Sequence, residues 1–413
     1  SGMGQTWIAI GLGIGYAVSW IFMAPRLRRF SIAANDSITI PQYLTNRFLS
    51  KNKSLQILSA IIFLVAYTIY AASSIKACGT LFNTVMDIDS NVAMYIAAFI
   101  IVAYTFLGGF SAVCWTDFFQ GMIMLAALLI APLFALALAK AGDGAATGAT
   151  LPDGFFNFFT TPQDIISGLG WGLGYFGMPH IIIRFMSLKS EKELRKSSVI
   201  GISWTTIILI MSALTAIAGR LYLGEIEDSS TVFITMVRRI FPALVSGLLL
   251  SAILSAAMST ADSQLLAASS AFASDVYKPV IRKKASDSEM LWAGRIVVIV
   301  IAVVALIIAS DPNSGSIMGL VENAWGVFGA AFGPVILLSL FWKRLTFGGT
   351  VAGIAVGAAV DILWLVFLSS TDIYEIVPGF AAGLLAAVVV SLLSKGPGKD
   401  VEDLFDRAVD LKS

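Results

Sequence analysis

Gly168-Leu-Gly-Trp-Gly-Leu-Gly-Tyr-Phe-Gly-Met-Pro179 sets five glycines and a proline inside an otherwise apolar stretch. Glycine is entropically costly in a helix and proline lacks a backbone donor, so the run predicts a broken helix with freed backbone groups. At membrane depth such backbone is tolerated only where it is buried in protein or lines a cavity. Breaks of this kind bind substrates and ions in transporters. Trp171, Tyr175 and Pro179 recur at i, i+4 and i+8, so they share one face of whatever helix remains. Close packing of helices through small residues is the competing explanation. Gly172-Leu-Gly-Tyr-Phe-Gly177 also fits the pattern GxGxxG. It lacks a preceding strand and a following acidic residue on a second strand, which removes a dinucleotide site.

The rest of the chain has the composition of a membrane protein. Of its 413 residues 57% are hydrophobic and only 13% charged, too little charge to cover a soluble domain of this length. The apolar residues arrive in blocks near the twenty or so that a bilayer crossing needs, and they are apolar on every face. Eleven spans are predicted, at about 5–24, 57–82, 92–108, 112–139, 163–187, 198–223, 242–275, 291–310, 316–342, 346–369 and 374–394. The short-period alternation of an outer-membrane barrel is absent, so the spans are helical. Short connections make residues 1–395 a single transmembrane domain, followed by a polar tail at 396–413 in which Leu404, Phe405 and Val409 suit an amphipathic helix.

Basic residues orient the spans. Arg26, Arg28, Arg29, Arg47, Lys51 and Lys53 fall in one set of connections, as do Lys189, Lys192, Lys283, Lys343 and the tail. The opposite set holds little beyond Lys140, Arg220, Arg238 and Arg239. That asymmetry predicts a cytoplasmic C-terminus. Residues 141–162 are expected as an outer loop, and Phe233, Met236, Val237 and Ile240 as one face of a short helix on the outer surface. A net charge of +1 argues against nucleic acid as a partner. Cys78 and Cys114 fall in or beside spans and indicate no disulfide framework.

A second unusual span carries Ser251, Ser255, Ser259 and Ser263 at steps of four, with Thr260 beside them. Hydroxyl and carbonyl oxygens are hard ligands suited to a small hard cation, and few full charges let the ion leave again. The same hydroxyls also suit bonds to the preceding turn's carbonyls. Asp117 is the best placed intramembrane acid, and such groups are functional candidates because burying them is costly. Asp164, Asp262, Glu322 and Asp361 are weaker cases. Lys76 is expected to snorkel outward, and the single histidine, His180, makes no metal site.

In their order along the chain these segments resemble the sodium/solute symporter family, and within it the bacterial sodium/proline branch. The resemblance covers essentially the whole chain. It is carried by Trp7-Ile-Ala-Ile-Gly11, Thr105-Phe-Leu-Gly-Gly-Phe110 with Trp115-Thr-Asp117, and Gly170–Gly177 with Pro179-His180. Leu250–Leu254 with Met258-Ser-Thr260, Ala324-Trp325, Phe328–Pro334 and Tyr374-Glu-Ile-Val-Pro378 continue the series.

The resemblance implies an all-α membrane fold of the leucine-transporter type. Two inverted five-helix repeats are expected, the second at about 163–342, with extra C-terminal helices. It assigns Na⁺ to the Ala256 carbonyl and the Ser259 and Thr260 hydroxyls, with Asp117 in sodium-dependent function. Trp171, Tyr175, Pro179 and Tyr70 are implied for the solute. The expected activity is Na⁺-driven uptake of L-proline by alternating access across a bacterial inner membrane, with the lipid bilayer as the remaining partner.

Met178 stands where some proline carriers have Gln, and Glu322 before Asn323 is a second departure. The family's first helix and first core helix find no counterpart here. The chain is therefore expected to be a fragment, and one so truncated would not transport. Pantothenate, a sugar acid or another amino acid is the alternative solute. A membrane sensor is disfavoured because the tail carries no kinase pattern. An intramembrane enzyme is disfavoured because HExxH and Gly-x-Ser-x-Gly are missing.

Overall fold

The computed structural model describes residues 2–142, 151 and 153–411, without the side chains of residues 104, 107–112, 191 and 280. Every regular element among them is helical. α1 (Thr6–Val18) runs through a π-helical turn at Ser19–Met23 into α2 (Ala24–Ala33). The first span is therefore longer than its expected end near residue 24. Pro25 follows directly on the π-helical turn, where the regular hydrogen-bond ladder is already interrupted, and it does not stop the helix. α3 (Ile40–Arg47) follows, capped by Thr39 Oγ1, which accepts from the Gln42 N–H. α4 (Ser54–Met86) and α5 (Ser90–Ala141) come next.

The expected spans 92–108 and 112–139 are joined in α5 as one run of helical backbone, because no proline interrupts the segment between them. The run is not straight. Ser90 and Met94 crowd Gly79 of α4. Phe134 packs on Phe241 at 5.4 Å, close to Arg238, which donates to the Thr84 carbonyl of the same α4 end. A straight helix would hold Ser90 and Phe134 about 66 Å apart, far beyond what these shared neighbours allow.

The glycine-rich stretch is broken as expected. α6 (Pro162–Gly170) has a full capping box from Thr161 and Asp164. A 3₁₀ segment covers Trp171–Phe176, and α7 (Pro179–Met186) starts on its proline. The chain continues as α8 (Glu191–Leu223), α9 (Val232–Ile240), α10 (Ala243–Ala271), α11 (Asp287–Ser310), α12 (Ile317–Phe341), α13 (Phe347–Phe367), α14 (Ile376–Leu393) and α15 (Lys399–Asp410). Nine helices among the described residues are long and apolar enough to cross a membrane. The first arm of α5 and the broken α6–α7 unit account for the other two expected spans.

α12 lies at the centre. Its most apolar window is 83% buried, against 33% for α13 and α14, which pack on its outer side. Rows of exposed Ile, Val, Leu and Phe on α11, α13 and α14 are left for lipid. α9 is the short helix the sequence predicts, with Phe233 and Ile240 partly buried. Ile234, Met236 and Val237 are buried against α8 and α10. Residues 143–150 of the expected outer loop lie outside the described residues.

The tail is not a free appendage. Leu404, Phe405 and Ala408 of α15 are buried, and the Phe405 ring meets Phe30 of α2 at 5.1 Å. Arg47 is fully buried beneath it, donating from Nη1 to the Val401 carbonyl at 3.1 Å and from Nε to the Ser339 carbonyl at 3.4 Å. Its neighbour Tyr43 is bonded to Ser339 Oγ, and burial pushes the phenol up to about 12. Lys343 and Asp406 close the edge at 2.6 Å, and the carboxylate raises the ammonium above its ordinary range. α15 and the basic residues of α2 and α3 therefore share one end of the bundle.

Candidate functional site

The glycines of the broken helix face neighbours on two sides. Gly168 and Gly172 lie against Gly11 and Gly15 of α1 so closely that a Cβ on Gly15 would stand 2.5 Å from the Gly172 Cα. Gly174 sits under the Trp325 indole, and Gly177 abuts Gly329 and Gly333 of α12. Close packing and a broken backbone are thus both present, and the first makes room for the second. The freed groups are satisfied locally: the Trp325 indole N–H donates to the Trp171 carbonyl at 2.9 Å. Met178 and Gly177 both bond back to the Gly174 carbonyl.

The break carries a cluster of aromatic rings. Trp171 lies 5.1 Å from Tyr374 and 6.3 Å from Trp325, and Tyr175 lies 5.1 Å from both Trp325 and Tyr16. Tyr70 of α4 packs on the same core and is within electrostatic reach of Tyr175 and Tyr374. Pro179 is buried at the first position of α7. The structure therefore brings Tyr70, Trp171 and Tyr175 to one place, with Pro179 as the pivot from which α7 departs. Met178 is fully buried in the core, so that departure from the expected pattern falls in packing. Trp325, Tyr374 and Tyr16 belong to the cluster and were not singled out as site residues. Ala324-Trp325 and Tyr374 stand among the segments that carry the family resemblance, which implies no site role for them.

The hydroxyl stripe divides into two kinds. Ser251 donates to the Leu248 carbonyl at 2.6 Å and Ser259 to the Ala256 carbonyl at 3.2 Å, the bonds to the preceding turn that the sequence left open. Ser263 instead donates to Asp117 Oδ2 at 3.2 Å, across to α5. Arg184 of α7 reaches the same oxygen at 3.4 Å. Asp117 is mostly buried, while Arg184 is largely exposed. Ala256 O and Ser259 Oγ thus already stand together, Thr260 is half-buried beside them, and Asp117 closes the row one turn on. These are the hard neutral oxygens, with one carboxylate nearby, that a small cation requires. Arg184 was missed because only the fold brings α7 to α5 and α10.

Other candidates lie away from these two groups. Asp164 serves the α6 cap, and Lys76 donates to Ser314 Oγ and the Gly315 carbonyl. His180 Nδ1 has no partner among the described residues. Cys78 and Cys114 are both free.

α7 touches both groups: its proline adjoins the aromatic cluster, and Arg184, about 7.5 Å further along the axis, adjoins the oxygen row. An apolar helical bundle with a broken helix between an aromatic group and a row of hard oxygens defines a secondary transporter. The chain belongs to the sodium:solute symporter family, whose profile matches residues 1–357. It is 43% identical over 420 residues to the high-affinity proline transporter PutP of Bacillus subtilis, covering 100% of this chain and 89% of that one. It is also 43% identical over 429 residues to the sodium/proline symporter of Haemophilus influenzae, covering 99% and 84%. Among solved structures it is similar to a Na⁺-coupled sialic acid symporter, with a TM-score of 0.69 at 18% identity over 96% of this chain and 91% of that one. That likeness concerns the fold, which is of the leucine-transporter type. The family consists of sodium-coupled solute transporters, not enzymes.

Proposed function

We propose that this protein moves L-proline inward with Na⁺ by alternating access. The observation that carries the reading is the broken helix held between the two groups: Trp171 and Tyr175 on one side, and Arg184 against Asp117 and Ser263 on the other. The names of the relatives supply the solute and the ion. In this reading Ala256 O, Ser259 and Thr260 hold Na⁺, and Asp117 sets the local negative field. Tyr70, Trp171 and Tyr175 enclose the solute, and Pro179 fixes where the half-helix pivots. Na⁺ binding favours one arrangement of α7 and so raises solute affinity, and the coupling is reciprocal. Residues 163–342 act as the second repeat and rock as a unit. The basic end of the bundle, with α15, faces the cytoplasm.

One Na⁺ moving down ~100 mV gains about 2.3 kcal/mol. A tenfold gradient adds about 1.4 kcal/mol, together enough for roughly a 500-fold solute gradient. The test is uptake of labelled L-proline into proteoliposomes carrying the protein as its gene encodes it, under an inward Na⁺ gradient. Uptake that vanishes when K⁺ replaces Na⁺ and is displaced by unlabelled proline supports the reading. No uptake of labelled proline by vesicles that take up labelled pantothenate or a sugar acid refutes the solute.

A further inference from the structure

Asp361 of α13 is fully buried, and neither carboxylate oxygen has a hydrogen-bond partner among the described residues. Glu375, at the start of α14, is 6% exposed and leaves Oε1 equally without a partner. The two side chains converge over Gly326 of α12. A Cβ built there would meet Asp361 Oδ1 at 3.0 Å, Oδ2 at 3.5 Å and Glu375 Cγ at 3.4 Å. Glu375 also borders a cavity of about 540 Å³ whose lining includes Asp164, Glu322, Asp372, Gln163 and Asn323, with no Lys or Arg among its lining residues.

The groups that face the pair from the packed elements are acidic or phenolic: Glu322 from α12 and Tyr374 beside α14, with Tyr70 of α4 behind Tyr374. The 3₁₀ turn at Ser369–Thr371 ends next to Asp372 and adds another acid. Lys76 of α4 is engaged by Ser314 and Gly315.

Two carboxyl groups that flank one buried glycine, with no Lys or Arg lining the adjoining cavity, disfavour each other's ionisation in a low-dielectric interior. Something positive must neutralise one of them. A metal ion of sodium's kind needs a shell of several oxygens at about 2.4 Å. The walls here are the close-packed backbones of Gly326, Gly379 and Ala330, where even a Cβ on Gly379 would stand 2.8 Å from the Ala330 Cβ and 2.9 Å from the Asp361 Cβ. No group of three metal-ligating side chains occurs among the described residues. A proton needs only one carboxylate oxygen.

We propose that Asp361 and Glu375 together bind one proton, and that the acidic cavity is its route in. Glu375 is joined to Tyr374, which braces the broken helix. The Tyr374 N–H donates to Ser167 Oγ at 3.0 Å, its hydroxyl donates to the Glu322 carbonyl at 2.9 Å, and its ring packs tilted against Trp171. Gain or loss of the proton therefore acts on the segment that holds α6 and the aromatic cluster in place, whichever solute is carried.

Infrared difference spectroscopy of the purified protein, titrated from acid to alkaline pH in H₂O and D₂O, tests this without any transport assay. The expected result is a protonated-carboxyl band at neutral pH that shifts in D₂O and is lost in Asp361→Asn. No such band in the unmodified protein, or a band that survives Asp361→Asn, overturns the proposal. Should that variant fail to fold, a hydrophobic carbodiimide, which attacks protonated carboxyls in apolar surroundings, reads the unmodified protein. Mass added at Asp361 or Glu375, falling as pH rises, is expected. Neither residue modified, or modification blocked by Na⁺ at constant pH, overturns a proton site, the latter in favour of sodium.

Discussion

Gly15→Ala tests whether the glycine run is a packing seam that makes the break possible. The new Cβ would stand 2.5 Å from the Gly172 Cα and 2.7 Å from the Gly172 carbonyl carbon. A carbon needs roughly 3.5 Å, so α1 and the 3₁₀ segment must separate by about 1 Å, and both sides of the contact are backbone that cannot rotate away. Overpacking of this kind costs about 1–3 kcal/mol. Gly247→Ala is the control. That glycine is exposed in α10 with nothing within 4 Å, so replacing it should stabilise by about 0.5–1 kcal/mol through helix propensity. Thermal unfolding of the two variants in the same detergent should therefore move in opposite directions, and Gly15→Ala should also weaken solute binding. A Gly15→Ala protein as stable as the parent, with unchanged uptake, would refute the seam.

Trp325→Phe removes the indole donor from the buried Trp171 carbonyl. The loss is worth about 1–3 kcal/mol and should weaken solute half-saturation by roughly five- to 150-fold, read from uptake kinetics. Arg184→Gln and Asp117→Asn should separate: the exposed arginine contributes at most about 1 kcal/mol, under roughly fivefold in Na⁺ half-saturation, whereas the acid should cost more than about tenfold. Equal effects would show that the pair, not the acid, carries sodium dependence. Arg47→Ala strips donors from two carbonyls and opens a cavity under α15, for a predicted loss of about 2–5 kcal/mol in thermal unfolding. An unchanged melting profile would mean that the tail helix is not docked.

The sequence made the broken helix legible because glycine density and proline act locally, on the residues that carry them. The hydroxyl stripe was legible as a row for the same reason, since a step of four is a property of one helix. What those hydroxyls bond to was not, and Ser259 and Ser263, identical in spacing, have different partners because only Ser263 meets α5. Arg184 and Trp325 were opaque in a related way: each acts through a residue more than sixty positions distant. The continuity of α5 and the docking of α15 were hidden by hydropathy, which marks where apolar blocks end without saying how the backbone passes between them. The placing of Asp361 and Glu375 about Gly326 was hidden too, since it depends on three helices meeting there.

The central claim is that Ala256, Ser259 and Thr260 hold the coupling ion. Its most direct test is the Na⁺ half-saturation of uptake, measured for Ser259→Ala and Thr260→Ala beside Ser251→Ala, which makes the same kind of bond to its own helix as Ser259 but two turns away from the proposed site. The account predicts at least a tenfold rise in half-saturation for the first two at unchanged protein abundance, and no change for the third. Parental half-saturation in all three would contradict it.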